Sequence, residues 1–149
     1  MGQQQLLFLI LATFIIILAI AVGIQAFHNW AIKANEEAVY HDILTMVAKI
    51  EGCFSKSTLL GGVANSSTLI DIKSFHQLGY YEYNDKGNII IPDKTFNNEN
   101  ASYRLIPGDT LVIEALPAEK PERRILCRCA FSAADKKVVY TLEQVSSTE

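Results

Sequence analysis

From Leu6 to Ile24 every residue is apolar or small except Thr13, and no Asp, Glu, Lys or Arg precedes Lys33. Nineteen residues at ~1.5 Å each make about 28 Å of helix, enough to cross the hydrocarbon of a bilayer. The uncharged stretch then runs through Gln25, Ala26, Phe27, His28, Asn29 and Trp30 without a helix breaker. Beyond it the pattern becomes amphipathic, so one long helix is predicted from about Gly2 to about Phe54. Phe27, Ala31, Ala34, Ala38, His41, Thr45, Ala48 and Gly52 form a shallow stripe, and Val39, Ile43, Met46, Val47 and Ile50 a bulkier one that a sheet can cover. Lys33, Asn35, Glu36, Glu37, Asp42, Lys49 and Glu51 are assigned to the wet side. Gly52 weakens the helix, and Ser55-Lys56-Ser57 followed by Gly61-Gly62 ends it.

Residues 55–79 read as a connector with one short helix, capped by Ser66 or Ser67, edged by Leu69, Ile72 and Phe75, and stopped by Gly79. A meander of strands follows. Tyr80–Tyr83 and Asn88–Ile91 flank the turn Asn84-Asp85-Lys86-Gly87, and Pro92–Asn100 is expected as a surface loop. Further strands are predicted at Tyr103–Ile106, Thr110–Leu116 and Arg124–Phe131, with a turn at Pro107-Gly108-Asp109. In Arg124–Phe131, Ile125, Cys127, Cys129 and Phe131 take one face, and Arg124, Leu126, Arg128 and Ala130 the other. Val138, Tyr140 and Leu142 are assigned to the inward face of a last strand, and the tail Ser146–Glu149 to solvent. Four to five antiparallel strands need one face covered, and the amphipathic part of the helix is the available cover. The expected fold is α+β: a long N-terminal helix, apolar then amphipathic, packed on a C-terminal antiparallel sheet. The predicted division is an apolar helix over 1–26 and a head over 27–149, the latter comprising helix 27–54, connector 55–79 and sheet 80–145.

A cleaved signal peptide fits the start poorly, because no Lys or Arg precedes the apolar core and no convincing small-residue cleavage site follows it. Myristoylation would want Ser or Thr where Leu6 stands. A single-pass anchor fits, but leaves the continuous helical extension without a purpose. Met1-Gly2-Gln3-Gln4-Gln5-Leu6-Leu7-Phe8-Leu9-Ile10-Leu11, followed by Ile15 to Ile24, resembles the N-terminus of a type IV pilin or pilin-like filament subunit. The resemblance covers about the first third of the chain. It implies a helix that anchors the subunit in the membrane before assembly and forms the filament core afterwards. The family carries Glu at the fifth position. Here Gln5 can accept a hydrogen bond from a neighbour's terminal amine but cannot neutralise its charge. The Lys/Arg-Gly leader of the family is not among these residues, so either Met1 is the mature terminus or the chain belongs to a branch not cut in this way.

The resemblance further implies a homo-oligomeric helical filament, a membrane-held precursor, handling by a pilus assembly machinery, and delivery to the cell surface. The expected assembly core is Met1, Gln5, Leu6, Leu7, Phe8, Leu9, Ile10, Phe14, Ile16, Ile17, Ile20 and Ile24. Small residues at Ala12, Ala19, Ala21 and Gly23 permit close approach of helices. A minor pseudopilin of a secretion machine, or a binding module on a single anchor, is the alternative.

Composition changes little of this. Apolar residues are 50% of the chain, net charge is -3, and basic residues are dispersed apart from Arg123, Arg124 and Arg128, so no nucleic-acid partner is expected. His28, His41 and His76 lack metal-ligand spacing, Cys127-Arg128-Cys129 has no second ligand pair, and no nucleophile or phosphate-loop motif occurs. Neither an enzyme nor a cofactor is expected. Glu37 and His41 are read as a solvated pair. In an oxidising compartment Cys53 is expected to pair with Cys127 or Cys129, leaving one free thiol. Asn65 and Asn100 match the glycan-acceptor tripeptide, which argues for exposed loops more than for glycans.

Overall fold

A computed structural model describes residues 2–56, 58–60, 72–83, 86–108, 110–132 and 137–146. Expectations for Met1, Gly61-Gly62, Asn65, the caps Ser66 and Ser67, Leu69, Asn84-Asp85, Asp109 and the end of the tail fall outside those residues. The chain forms two compact units, Met1–Ala34 and Asn35–Glu149. One helix, α1 (Gly2–Ser55), runs through both as 54 residues. Leu, Ile, Ala and Phe dominate its first half, and the first proline of the chain is Pro92, so nothing interrupts the i to i-4 ladder.

In the second unit the remaining elements are a 3-10 turn (Thr58–Leu60) and strands β1 (Glu82–Tyr83), β2 (Ile89–Ile90), β3 (Thr95–Asn97), β4 (Ala101–Ile106), β5 (Leu111–Pro117), β6 (Arg123–Ser132) and β7 (Lys137–Ser146). β1 and β2 form a small antiparallel pair, with Glu82 opposite Ile90, and Gly87 takes the positive φ of 76° that the turn requires. β3 to β7 form a five-stranded antiparallel sheet in sequence order. The fold is α+β, as the periodicity implied.

Register explains the core. Tyr103 lies opposite Ala115, and Ala115 opposite Ile125, while Leu105, Ile113 and Cys127 form the next row, so large and small side chains alternate beneath the helix. Against that face α1 buries Val39, Ile43, Met46, Val47, Ile50 and Cys53. The bulky stripe read from spacing is the stripe that packs. Phe54 extends the contact by stacking on Phe131 at 4.6 Å between centroids.

Two expectations need correction. The segment Pro92–Asn100 is not all loop: β3 pairs with β4, and Asn98 closes the hairpin by accepting from the backbone N–H groups of Asn100 and Ala101. Only Phe96 among the three residues of β3 is apolar, which hides the strand from an alternation test. The helix expected in the connector falls largely on residues outside those described, and the stop expected at Gly79 is present. The N–H of Tyr80 donates to Phe75 O, that of Gly79 donates to His76 O, and Gly79 has a φ of 76°, which is a Schellman closure with Phe75 and Tyr80 in contact across it. Finally, Val138, Tyr140 and Leu142 share the core face of the sheet, but only Val138 packs on the core. Tyr140 and Leu142 keep 42% and 37% of their surface exposed because β7 is the sheet's edge.

Candidate functional site

The first unit consists of a single helix. From Leu6 to Ile24 its large apolar side chains are 54–69% exposed, and Phe27 and Trp30 more so. Apolar residues occupy every side, so no rotation of this helix puts a polar face to water. The one polar side chain between Leu6 and Ile24, Thr13, donates its hydroxyl to Ile10 O at 2.8 Å and so needs no outside partner. Past the first turn, backbone groups bond within the helix. Of the expected core residues, Gln5, Leu6, Leu7, Phe8, Leu9, Ile10, Phe14, Ile16, Ile17, Ile20 and Ile24 are all exposed helix positions, and Met1 lies outside the described residues. The helix is long and apolar enough to cross a membrane. A Cβ built on Gly23 meets nothing within 4 Å, so Gly23 leaves open space on the helix surface.

In the second unit, several residues assigned to the wet side of α1 in fact hold the sheet. Asn35 donates to Asn100 O at 2.9 Å, and Glu36 accepts from Arg123 at 2.9 Å. One oxygen of Asp42 accepts from Asn98 at 2.8 Å, Asn100 at 2.9 Å and the Tyr103 hydroxyl at 2.8 Å. Partial burial pushes the Asp42 carboxyl up, but the three donors and nearby His41 outweigh it and hold the group below the ordinary aspartate value. Burial, and then the Asp42 charge, raise Tyr80 to about 12, and burial with the hydrogen bond to Asp42 raises Tyr103 further. Helical spacing placed these residues beside the bulky stripe, and no sequence signal paired them with the Asn-rich hairpin 65 residues away. Asn100, expected in an exposed loop, is half-buried, and the nitrogen a glycan would need is given to Asp42.

All three cysteines are free and buried. Cys53 donates to Gln77 O at 3.6 Å, and the sulfurs that meet are those of Cys127 and Cys129, 3.7 Å apart on the core face of β6. The expected bond from Cys53 to that strand is not formed in the structure. The Cys129 thiol is pushed up by its hydrogen bond to Cys127 and by burial, so it stays protonated.

Comparison with family models, characterised proteins and solved structures yields no match to this chain. What stands from the resemblance is architectural: a long helix, apolar at its N-terminal end, and an antiparallel sheet packed on its amphipathic part, an arrangement compatible with a pilin-like subunit.

Proposed function

We propose that this chain is a structural subunit of a type IV pilus-like helical filament, held in a membrane through Leu6–Ile24 and then assembled by bundling of that segment with its counterparts. The reading rests on one observation. The apolar segment is exposed on all sides while the second unit has a complete core of its own, with Val39, Ile43, Phe75, Leu111, Ile113 and Ile125 fully buried. Such a helix needs an apolar environment from outside the chain, and lipid and a bundle of like helices both supply one. In a bundle, Ala12, Ala19, Ala21 and Gly23 let backbones approach, and Gln3, Gln4 and Gln5 hydrogen-bond near the terminus.

The same exposure is also satisfied by a helix that stays in lipid, as a single-pass anchor would. Negative-stain microscopy of material sheared from the cell surface, with mass spectrometry for this chain, separates the two. Filaments made mainly of this chain support the proposal, and its retention in the membrane fraction with none in the sheared filaments refutes it.

A further inference from the structure

We propose that the second unit carries a binding cleft for a hexose-sized ligand bearing one anionic group. The cleft, about 520 Å³, lies between the last turns of α1 and the Phe75–Tyr80 turn, and is lined in part by Lys49, Gly52, Lys56, His76, Gln77 and Tyr81. Its volume falls within the range of small-molecule pockets and leaves room for a hexose with its anionic group. No Asp or Glu is among the described residues that line it, in a chain whose 16 acidic residues outnumber its 13 basic ones.

Lys49 lies in the last two turns of α1 and Lys56 just past its end, and both line the cleft. Neither takes part in the ion pairs Arg123–Glu36, Arg124–Glu114 and Arg128–Glu143. Lys56 follows the helix C-terminus and complements its dipole, but that field fades within the last turn and does not account for Lys49. The Lys49 ammonium lies 3.5 Å from the centre of the Tyr80 ring, and its partial burial holds its pKa below the ordinary lysine value. A partly dehydrated cation with no carboxylate paired to it among the described residues gains from an anion placed in the cleft.

The remaining walls suit a polyol ring. Tyr81 is half exposed and packs edge-on with His76 at 5.4 Å, so that the two rings stand perpendicular in the cleft wall. Gln77 has its Oε1 committed to the backbone N–H groups of Lys73 and Ser74, which leaves Nε2 as a donor. Gly52 lies on the helix between the two lysines, and a Cβ there meets nothing within 4 Å. The missing side chain is what keeps the helix wall of the cleft open.

The test is titration of the full-length, isotope-labelled chain in detergent micelles, followed by amide chemical shifts. The probes are glucuronate, glucose 6-phosphate and neutral glucose. Saturable shifts at Gln77, Gly79 and Tyr81 are expected with at least one of the two anions, at least tenfold tighter than with glucose. Binding of only one anion identifies the group as carboxylate or phosphate. Gly52→Leu, which fills the cleft, and Lys56→Gln, an exposed change that leaves the core untouched, should each weaken binding at least tenfold. No saturable shift with either anion, glucose binding as tightly as the anions, or unchanged affinity in Lys56→Gln overturns the proposal.

Discussion

Residues 2–34 and 35–55 belong to one helix, yet they solve opposite problems. In 35–55 the apolar side chains recur at three- and four-residue intervals, and Val39, Ile43, Met46, Val47, Ile50 and Cys53 are buried on one stripe. In 6–24 they fill every position but Thr13 and Gly23, and none is buried. Periodicity encodes a partner of definite direction, which the sheet of the same chain provides. Uniform apolarity encodes no direction, so it specifies an environment rather than a contact.

Breaking that contrast in the uniform half should have the largest effect. Ile16→Arg introduces a charge that costs about 2.5–3.5 kcal/mol at the centre of a membrane helix and has no counter-ion in a bundle of identical apolar helices. Filaments are expected to disappear in electron micrographs, while the thermal unfolding of the second unit is unchanged, because Ile16 is not one of its core residues. Gly23→Leu sharpens the point. With open space around Gly23 the single chain should tolerate leucine, whereas close helix packing should not, so reduced filament yield with normal expression is the expected result.

In the patterned half the effects should fall on stability. Ile113→Ala, at a fully buried position, is expected to cost about 2–5 kcal/mol in denaturant unfolding without affecting membrane association. Asp42→Ala leaves the buried Tyr103 hydroxyl without its acceptor and should cost about 1–3 kcal/mol. The pH dependence follows from the signs of the shifts. The Asp42 pKa is depressed by folding, so its contribution is present above the ordinary aspartate pKa and is lost as pH falls through the lower folded value. Tyr80 and Tyr103 are raised, so their contribution is present below the ordinary tyrosine pKa and is lost as pH rises through the folded values. Thermal melts from pH 7 downward should show an acid limb that Asp42→Asn flattens. The smallest effect belongs to the exposed pair Arg128–Glu143 at 3.4 Å, where Glu143→Gln should change stability by less than about 1 kcal/mol.

The sequence made this contrast legible because hydrophobic spacing is a local property. The long helix, its buried stripe, the Gly87 turn and the alternation of β6 were all readable from neighbours within one or two turns. What escaped reading depends on distant pairs. Asn35, Glu36 and Asp42 look like solvated polar residues until the hairpin and β6 are folded onto them. The exposure of Tyr140 and Leu142 follows from strand order, which alternation does not report. The cysteines were read through an expected compartment, whereas Cys127 and Cys129 meet because residues two apart on a strand share a face.

The central claim is that the uniform segment, and not the patterned head, holds copies of this chain together. Its most direct test compares the full chain with one beginning at Asn35, each expressed and examined by negative-stain microscopy and light scattering. Filaments are expected from the full chain, and from the shortened one a soluble, folded monomer at every concentration. Filaments of the same helical symmetry from the shortened chain would contradict it.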